Sequence, residues 1–238
     1  MDPARIAQLL DPFLDDASPL PAAALHQIST YIDLLLRWNA RVNLTAVRTP
    51  EEIVTRHFGE SLFAARQLLA GPAPSNEMLP SSPASLVVDL GSGAGFPGVP
   101  LKIWSPQTKV TLIESNHKKV VFLRETIRAL TLTNIDVFPG RAEDFPPASA
   151  TLVTLRAVER FDHILLTAAT LVAPQGRLAL LIGQSQLGRA HELLPGLHWK
   201  KPIPIPHSES RVLLTSTPEP SVLTVENPQR PPEDESNW

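Results

Sequence analysis

Residues 87–98 read Val-Val-Asp-Leu-Gly-Ser-Gly-Ala-Gly-Phe-Pro-Gly, and no other stretch of the chain is so well suited to chemistry. An apolar strand that runs into glycines and then into a helix lets backbone approach a ligand closely, at the carboxyl edge of a sheet. Two ligands compete for such a loop. Gly93, Gly95 and Gly98 satisfy the dinucleotide spacing G-x-G-x-x-G, and Glu114 follows 21 residues after Gly93, as a ribose-binding acid would. S-adenosylmethionine suits the flanking residues better. Asp89 would repel a pyrophosphate but attract an ammonium and a sulfonium, and Pro97 with Pro100 interrupts the helix start that a pyrophosphate would use. Glu114 serves either ligand, because a carboxylate can accept both ribose hydroxyls. On this reading Asp89→Ala weakens cofactor binding and leaves the fold intact.

The elements that must position this loop follow from periodicity. After residue 85 come short, mostly apolar runs at 85–90, 109–113, 135–138, 151–155 and 177–182, rich in valine, isoleucine and leucine, as strands buried on both faces would be. Helical patterns lie between them: Lys118–Leu130 carries Val121, Leu123, Ile127 and Leu130 among charges, and Phe161–Val172 is expected to stop at Pro174 and the Gln175-Gly176 turn. This alternation predicts a parallel, doubly wound sheet. The runs 203–205 and 211–216 have no helix between them and read as a closing antiparallel pair.

The first 70 residues read as helices. From Tyr31 the apolar positions Leu34, Leu35, Trp38 and Val42 form one stripe. Thr49-Pro50-Glu51-Glu52 has the form of a helix start, with Thr49 as N-cap, and a second amphipathic helix then runs to about Leu69. The expected organisation is a helical region over 1–70, a Pro/Ser-rich linker over 71–84, an α/β domain over 85–217 and a disordered acidic tail over 218–238.

Composition narrows the chemistry. The 238 residues contain no cysteine, which excludes disulfides, thiolate metal sites and a cysteine nucleophile. No apolar run reaches the ~20 residues of a membrane span, and the N-terminus lacks a basic start before an apolar stretch, so a cytoplasmic protein is expected. The net charge is −3, but residues 218–238 set five acids against Arg230, leaving the rest of the chain near +1. Between 101 and 141, seven lysines and arginines face only Glu114, Glu125 and Asp136. That excess permits an RNA partner without requiring one; an ordinary solvated face would look the same.

From about Tyr31 to Thr215 the chain resembles the bacterial 16S ribosomal RNA guanine-N7 methyltransferases, the glucose-inhibited division protein B family. The resemblance is carried by Trp38-Asn39, Asn43-Leu44-Thr45, Arg56-His57, the loop 89–98, Lys118-Lys119-Val120-Val121-Phe122-Leu123, Gly140-Arg141-Ala142-Glu143-Asp144-Phe145 and Leu155-Arg156-Ala157. It implies a Rossmann-like class I S-adenosylmethionine-dependent methyltransferase fold with an N-terminal helical extension. It further implies that Gly91, Gly93 and Phe96 line the methionine end of the cofactor, that Glu114 holds the ribose, and that Ala142 and Glu143 frame the adenine. Arg156 would act beside cofactor and target base, while His57, Arg141, Arg211, Lys118 and Lys119 would face RNA. The implied partner is 16S rRNA or the small ribosomal subunit, bound by a monomer without metal or membrane.

Plainer roles stay open for several of these residues. His57 fits a helix-surface histidine, and Arg141 fits an ion pair with Glu143 or Asp144. For Arg156, a guanidinium at the end of a buried strand must reach the ligand crevice or find a buried partner. Two positions depart from the family pattern: Ile182 stands where a lysine is usual, and Glu60 where an aspartate is usual. A small-molecule methyltransferase, a nicotinamide-dependent oxidoreductase and a nucleotide-binding regulator are the competing readings.

Overall fold

Strand parity organises the molecule. The computed structural model describes residues 1–14, 19–69, 86–158 and 160–217, so the expected linker and acidic tail lie outside the described residues. Its seven strands are β1 (Leu86–Leu90), β2 (Lys109–Ile113), β3 (Ile135–Phe138), β4 (Ala150–Arg156), β5 (Val172–Gly183), β6 (Ile203–Pro204) and β7 (Arg211–Thr215). They form one sheet in the order β3-β2-β1-β4-β5-β7-β6. The first five are mutually parallel, and β7 runs antiparallel to both β5 and β6. The order reverses between β2-β1 and β4, which makes the carboxyl ends of β1 and β4 the switch point where open sheets bind ligands.

Successive side chains on a strand point to opposite faces. Val87, Leu152, Ala179 and Leu181 therefore join one core with α1 (Pro3–Leu10), α2 (Ala22–Asn39), α4 (Glu60–Leu68), α5 (Gly98–Trp104) and α6 (His117–Ala129). Val88, Leu90, Val153, Leu155, Leu178 and Leu180 join a second core with α7 (Phe161–Leu171) and α8 (Leu187–Leu193). The N-terminal helices share the first core with the sheet, so they form the cover of one sheet face. Gln27 Nε2 fastens α2 to the end of α6 through Leu130 O at 2.9 Å.

The expected start at Thr49 is present: its hydroxyl accepts from Glu52 N–H and donates to the Glu52 carboxylate at 2.9 Å. The helix that follows is less regular than its pattern suggests. After α3 (Pro50–Glu52), residues Ile53–Gly59 form a π-helical segment before α4 begins. Gly59 belongs to that segment, and any Cβ there would lie 2.6 Å from the Phe13 ring, so helix and ring approach closely only because the residue is glycine.

Two further details depart from the sequence reading. Helix α7 ends at Leu171, and Pro174-Gln175-Gly176 lies within β5 at a register shift against β4. Proline is tolerated there because the pairing is irregular at that point. The helix α8 has only seven residues, too short to show a helical period in the sequence. Among the described residues, no helix is long and apolar enough to cross a membrane.

Candidate cofactor crevice and the charge cluster behind it

The glycine loop is fastened from three sides. Gly91, Gly93 and Gly95 have φ of 69°, 57° and 86°, the left-handed region that glycine enters without Cβ strain. Gly91 N and Ser92 N both donate to Ile113 O at 3.0 Å, tying the loop to the end of β2. A Cβ on Gly95 would collide with the Tyr31 hydroxyl and with Val99. That hydroxyl donates to Ala94 O, so α2 holds the loop from outside. Burial, and next the Asp89 charge, keeps the Tyr31 phenol well above its ordinary range.

On the α7 side of the loop lies a crevice of about 180 Å³. Gly91, Glu114, Arg141, Ala142 and Glu143 line it, with Arg160 and His163 at its edge. Five residues assigned to cofactor or RNA from the sequence thus meet in one place. Glu114 is buried; its Oε2 accepts from Gly93 N at 2.9 Å and its Oε1 from Asn116 N at 2.7 Å. Each oxygen keeps a lone pair for a further donor. Glu143 is exposed and stands 3.7 Å from His163 Nε2. Arg141 is exposed on the rim and makes no ion pair among the described residues.

The remaining assigned residues are placed differently, and parity explains why. Asp89 pairs with Thr154 across β1 and β4, and both point away from the crevice, toward the N-terminal helices. The Asp89 carboxylate is 1% exposed, with Oδ1 accepting from Thr154 Oγ1 at 2.9 Å and Oδ2 from Gly98 N at 3.1 Å. The direct charge contact with a ligand expected for it is not offered in this arrangement, where the carboxylate holds the first turn of α5. Burial raises its pKa to about 6, against the opposing hydrogen bonds of Thr154, Ser92 and Gly98. Phe96 is also turned inward, stacked on Tyr31 at 5.3 Å and packed edge-on to Phe58 at 5.1 Å. Its ring presents no free face for a base.

Arg156, two residues beyond Thr154 on the same face, finds the buried partner instead of the crevice. Its Nη2 and Nε lie 3.0 and 3.2 Å from Glu60 Oε2, and Nη2 also donates to Arg56 O at 2.6 Å and to His57 Nδ1 at 3.0 Å. Arg211 brings Nε to 3.1 Å from the same Glu60 oxygen, but off the hydrogen-bond line, so charge alone links them there. Its Nη2 donates to Leu181 O at 3.1 Å, which turns the Arg211 fork inward and not toward a surface ligand.

His57 completes the cluster. It is 9% exposed and lies 4.9 Å from Phe96, ring to ring. Because Nδ1 accepts from Arg156, the proton sits on Nε2, which faces Thr45 Oγ1 at 2.7 Å. Burial first, then the charges of Arg156 and Arg56, lower its pKa to about 3. The histidine expected to face RNA is thus buried and held neutral in this arrangement. The sequence reading passed over Glu60 as a partner. The signal was available, since Leu152, Thr154 and Arg156 alternate onto the face that the N-terminal helices cover.

A family model described as rRNA small subunit methyltransferase G, GidB, matches residues 24–195. The chain is 36% identical over 207 residues to the ribosomal RNA small subunit methyltransferase G of Xanthomonas campestris pv. campestris, covering 81% of this chain and 91% of that one. It is 38% identical over 169 residues to the protein of the same description from Xylella fastidiosa, covering 71% and 73%. Among solved structures, a ribosomal protein L11 methylase from Lactobacillus delbrueckii subsp. bulgaricus superposes with a TM-score of 0.53 at 10% identity, over 68% of this chain and 78% of that one. P. horikoshii TYW2 in complex with MeSAdo gives 0.50 at 16% identity, over 68% and 62%. These two likenesses concern the fold.

Proposed function

The chain belongs to the rRNA small subunit methyltransferase G family, and from that premise we propose that it transfers a methyl group from S-adenosylmethionine to N7 of a guanine in 16S rRNA. The observation that carries the reading is Glu114, a buried carboxylate at the carboxyl end of β2 held against the Gly93 amide. The crevice residues fit the cofactor. Glu114 retains lone pairs for the ribose hydroxyls, Gly91 offers backbone without a side chain, and Ala142 with Glu143 stands where the adenine would lie. When bound, S-adenosylmethionine supplies a methyl group on an electrophilic sulfonium.

Guanine N7 already carries a lone pair, so the chain has to position it and does not have to deprotonate it. The engagement of nearby groups supports this: Asp89 is buried and bonded on both oxygens, and both nitrogens of His57 are in hydrogen bonds. Arg156, assigned catalytic from the sequence, acts on this reading as a positioning residue, because it braces His57 and through it Phe96 at the loop. Arg141 and Arg160 are exposed cations lining the crevice where phosphate would approach, and the substrate is 16S rRNA free or within the small subunit.

The test is methylation of small-subunit RNA with labelled cofactor, followed by nucleoside analysis. The label should appear as 7-methylguanosine. A target carrying 7-deazaguanine replaces the nucleophilic nitrogen with carbon at nearly constant shape; it should bind but take no methyl. Label on the 7-deaza RNA would mean another acceptor atom.

A further inference from the structure

A cavity larger than the cofactor crevice lies elsewhere. It is a groove of about 740 Å³ between the end of α2 and the first turns of α6, lined by Arg37, Trp38, Arg41 and Lys118, with Glu125 as its one carboxylate. Arg37, Arg41 and Lys118 are exposed and none is engaged by an acid among the described residues. Three other arginines do meet acids, Arg156 and Arg211 at Glu60 and Arg189 at Asp162 and Glu192. Trp38 is only half-buried. One edge of its indole packs on Phe122 at 5.7 Å, and the rest lines the groove.

We infer that this groove holds an unpaired stretch of the RNA substrate, with phosphates on Arg37, Arg41 and Lys118 and a base stacked on Trp38. The inference rests on the proposed reading of the chain as an RNA methyltransferase and extends it to a second contact surface. Three uncompensated cations around a half-open aromatic ring are the elements that single-stranded nucleic acid sites combine. Position supports it as well. Ser115 lines the crevice and Lys118 lines the groove; three residues apart, their Cα atoms are separated by at most about 11 Å. A strand leaving the crevice at the end of β2 meets the groove at once. Glu125 sits on α6 two turns beyond Lys118, at the far end from the crevice.

The experiment uses the full chain, a labelled oligouridylate that forms no structure, and S-adenosylmethionine calorimetry alongside. A triple variant Arg37→Glu, Arg41→Glu, Lys118→Glu should lose at least about tenfold in oligonucleotide affinity, and the slope of log affinity against log salt should shrink by about 2, near 0.7 for each phosphate no longer neutralised. Trp38→Ala should weaken binding by about five- to a hundredfold, and Trp38→Phe should restore most of it, because stacking needs only an aromatic face. Cofactor affinity should stay unchanged in all of them. If the wild-type chain binds and methylates RNA while the triple variant keeps its affinity and slope, the groove is not the site and the proposed function stands. Unchanged oligonucleotide binding with slower methylation of the assembled subunit would put a ribosomal protein in the groove and overturn the RNA assignment. A wild-type chain that neither binds nor methylates RNA removes both readings.

Discussion

Glu60 is the acid shared by two buried or half-buried arginines, and truncating it to alanine should be among the costliest changes in the chain. Arg156 and Glu60 have side chains only 9% and 5% exposed, and Arg211 is 23% exposed. All three short contacts end on one oxygen, Glu60 Oε2. Without it Arg156 keeps Arg56 O and His57 Nδ1, but its charge is left uncompensated beside Arg211. Burial already lowers the Arg156 pKa, with Glu60 the main opposing influence. Breaking a buried pair by removing one partner costs about 3–5 kcal/mol. For a domain of this size each kcal/mol lowers Tm by roughly 2–4 °C, so Glu60→Ala should melt about 6–20 °C below the parent. Urea titration should show the same loss in midpoint with an unchanged slope. The double variant Glu60→Met, Arg156→Met removes both charges and should be less damaged than Glu60→Ala alone. A Glu60→Ala protein within about 0.5 kcal/mol of wild type, the range of ordinary surface substitutions, would refute the view that this cluster fastens the N-terminal helices to the sheet.

Two pH experiments separate the buried groups. Asp89 has a folded pKa raised to about 6 from 3.8, so its contribution is fully present below 3.8 and is lost as pH rises through 6; Asp89→Asn removes the titration, and its stability relative to wild type should increase by on the order of 2–3 kcal/mol between pH 4 and 7, an increase that urea midpoints for both proteins at each pH would reveal or exclude. His57 runs the other way. Its folded pKa is lowered to about 3 while the unfolded imidazole titrates near 6.5, so its contribution is present above 6.5 and declines as pH falls toward 3. The His57 ring signals in NMR should stay those of a neutral Nε2–H tautomer from pH 8 to 5, and methyl transfer in single turnover should be flat from about pH 6.5 to 8.5; a tenfold rise per pH unit would require a base among the groups assigned here as engaged.

Much of the fold is legible because burial on both faces leaves a plain mark. The strands at 109–113 and 135–138 need only short runs of β-branched and aliphatic residues bounded by turn residues, and their observed limits match. The glycine loop is legible for a related reason: three glycines with positive φ are required by backbone geometry whatever surrounds them. What the sequence conceals depends on contacts between distant segments. The π-helical segment at 53–59 ends on Gly59, which packs against the ring of the distant Phe13, and nothing local in Ile-Val-Thr-Arg-His-Phe-Gly announces it. The start of β5 at Val172 depends on pairing with Ala150 in β4, which carries the strand through a proline that would otherwise mark its limit.

The site divides along the same line. Glu114 was legible from its place at a strand's carboxyl end, whereas Gly91, Ala142 and Glu143 were reached through the family resemblance; the parallel sheet gathers all four at one edge. Asp89, Arg156 and His57 were legible as unusual but not as to direction, since type and spacing fix the edge of the sheet and parity fixes the face. Counting from Leu152 in the first core, Thr154 and Arg156 must face the N-terminal helices, and Asp89 must follow Val87 there. The polar residues on that face then need partners from the covering layer, because a buried charge left alone costs far more than the pair. Glu60, His57 and the Arg56 carbonyl supply them to Arg156. It follows that the helices before β1 are more than a cover: they complete the charge balance of residues that hold the cofactor loop, and the loop's shape depends on chain some 30 residues before it.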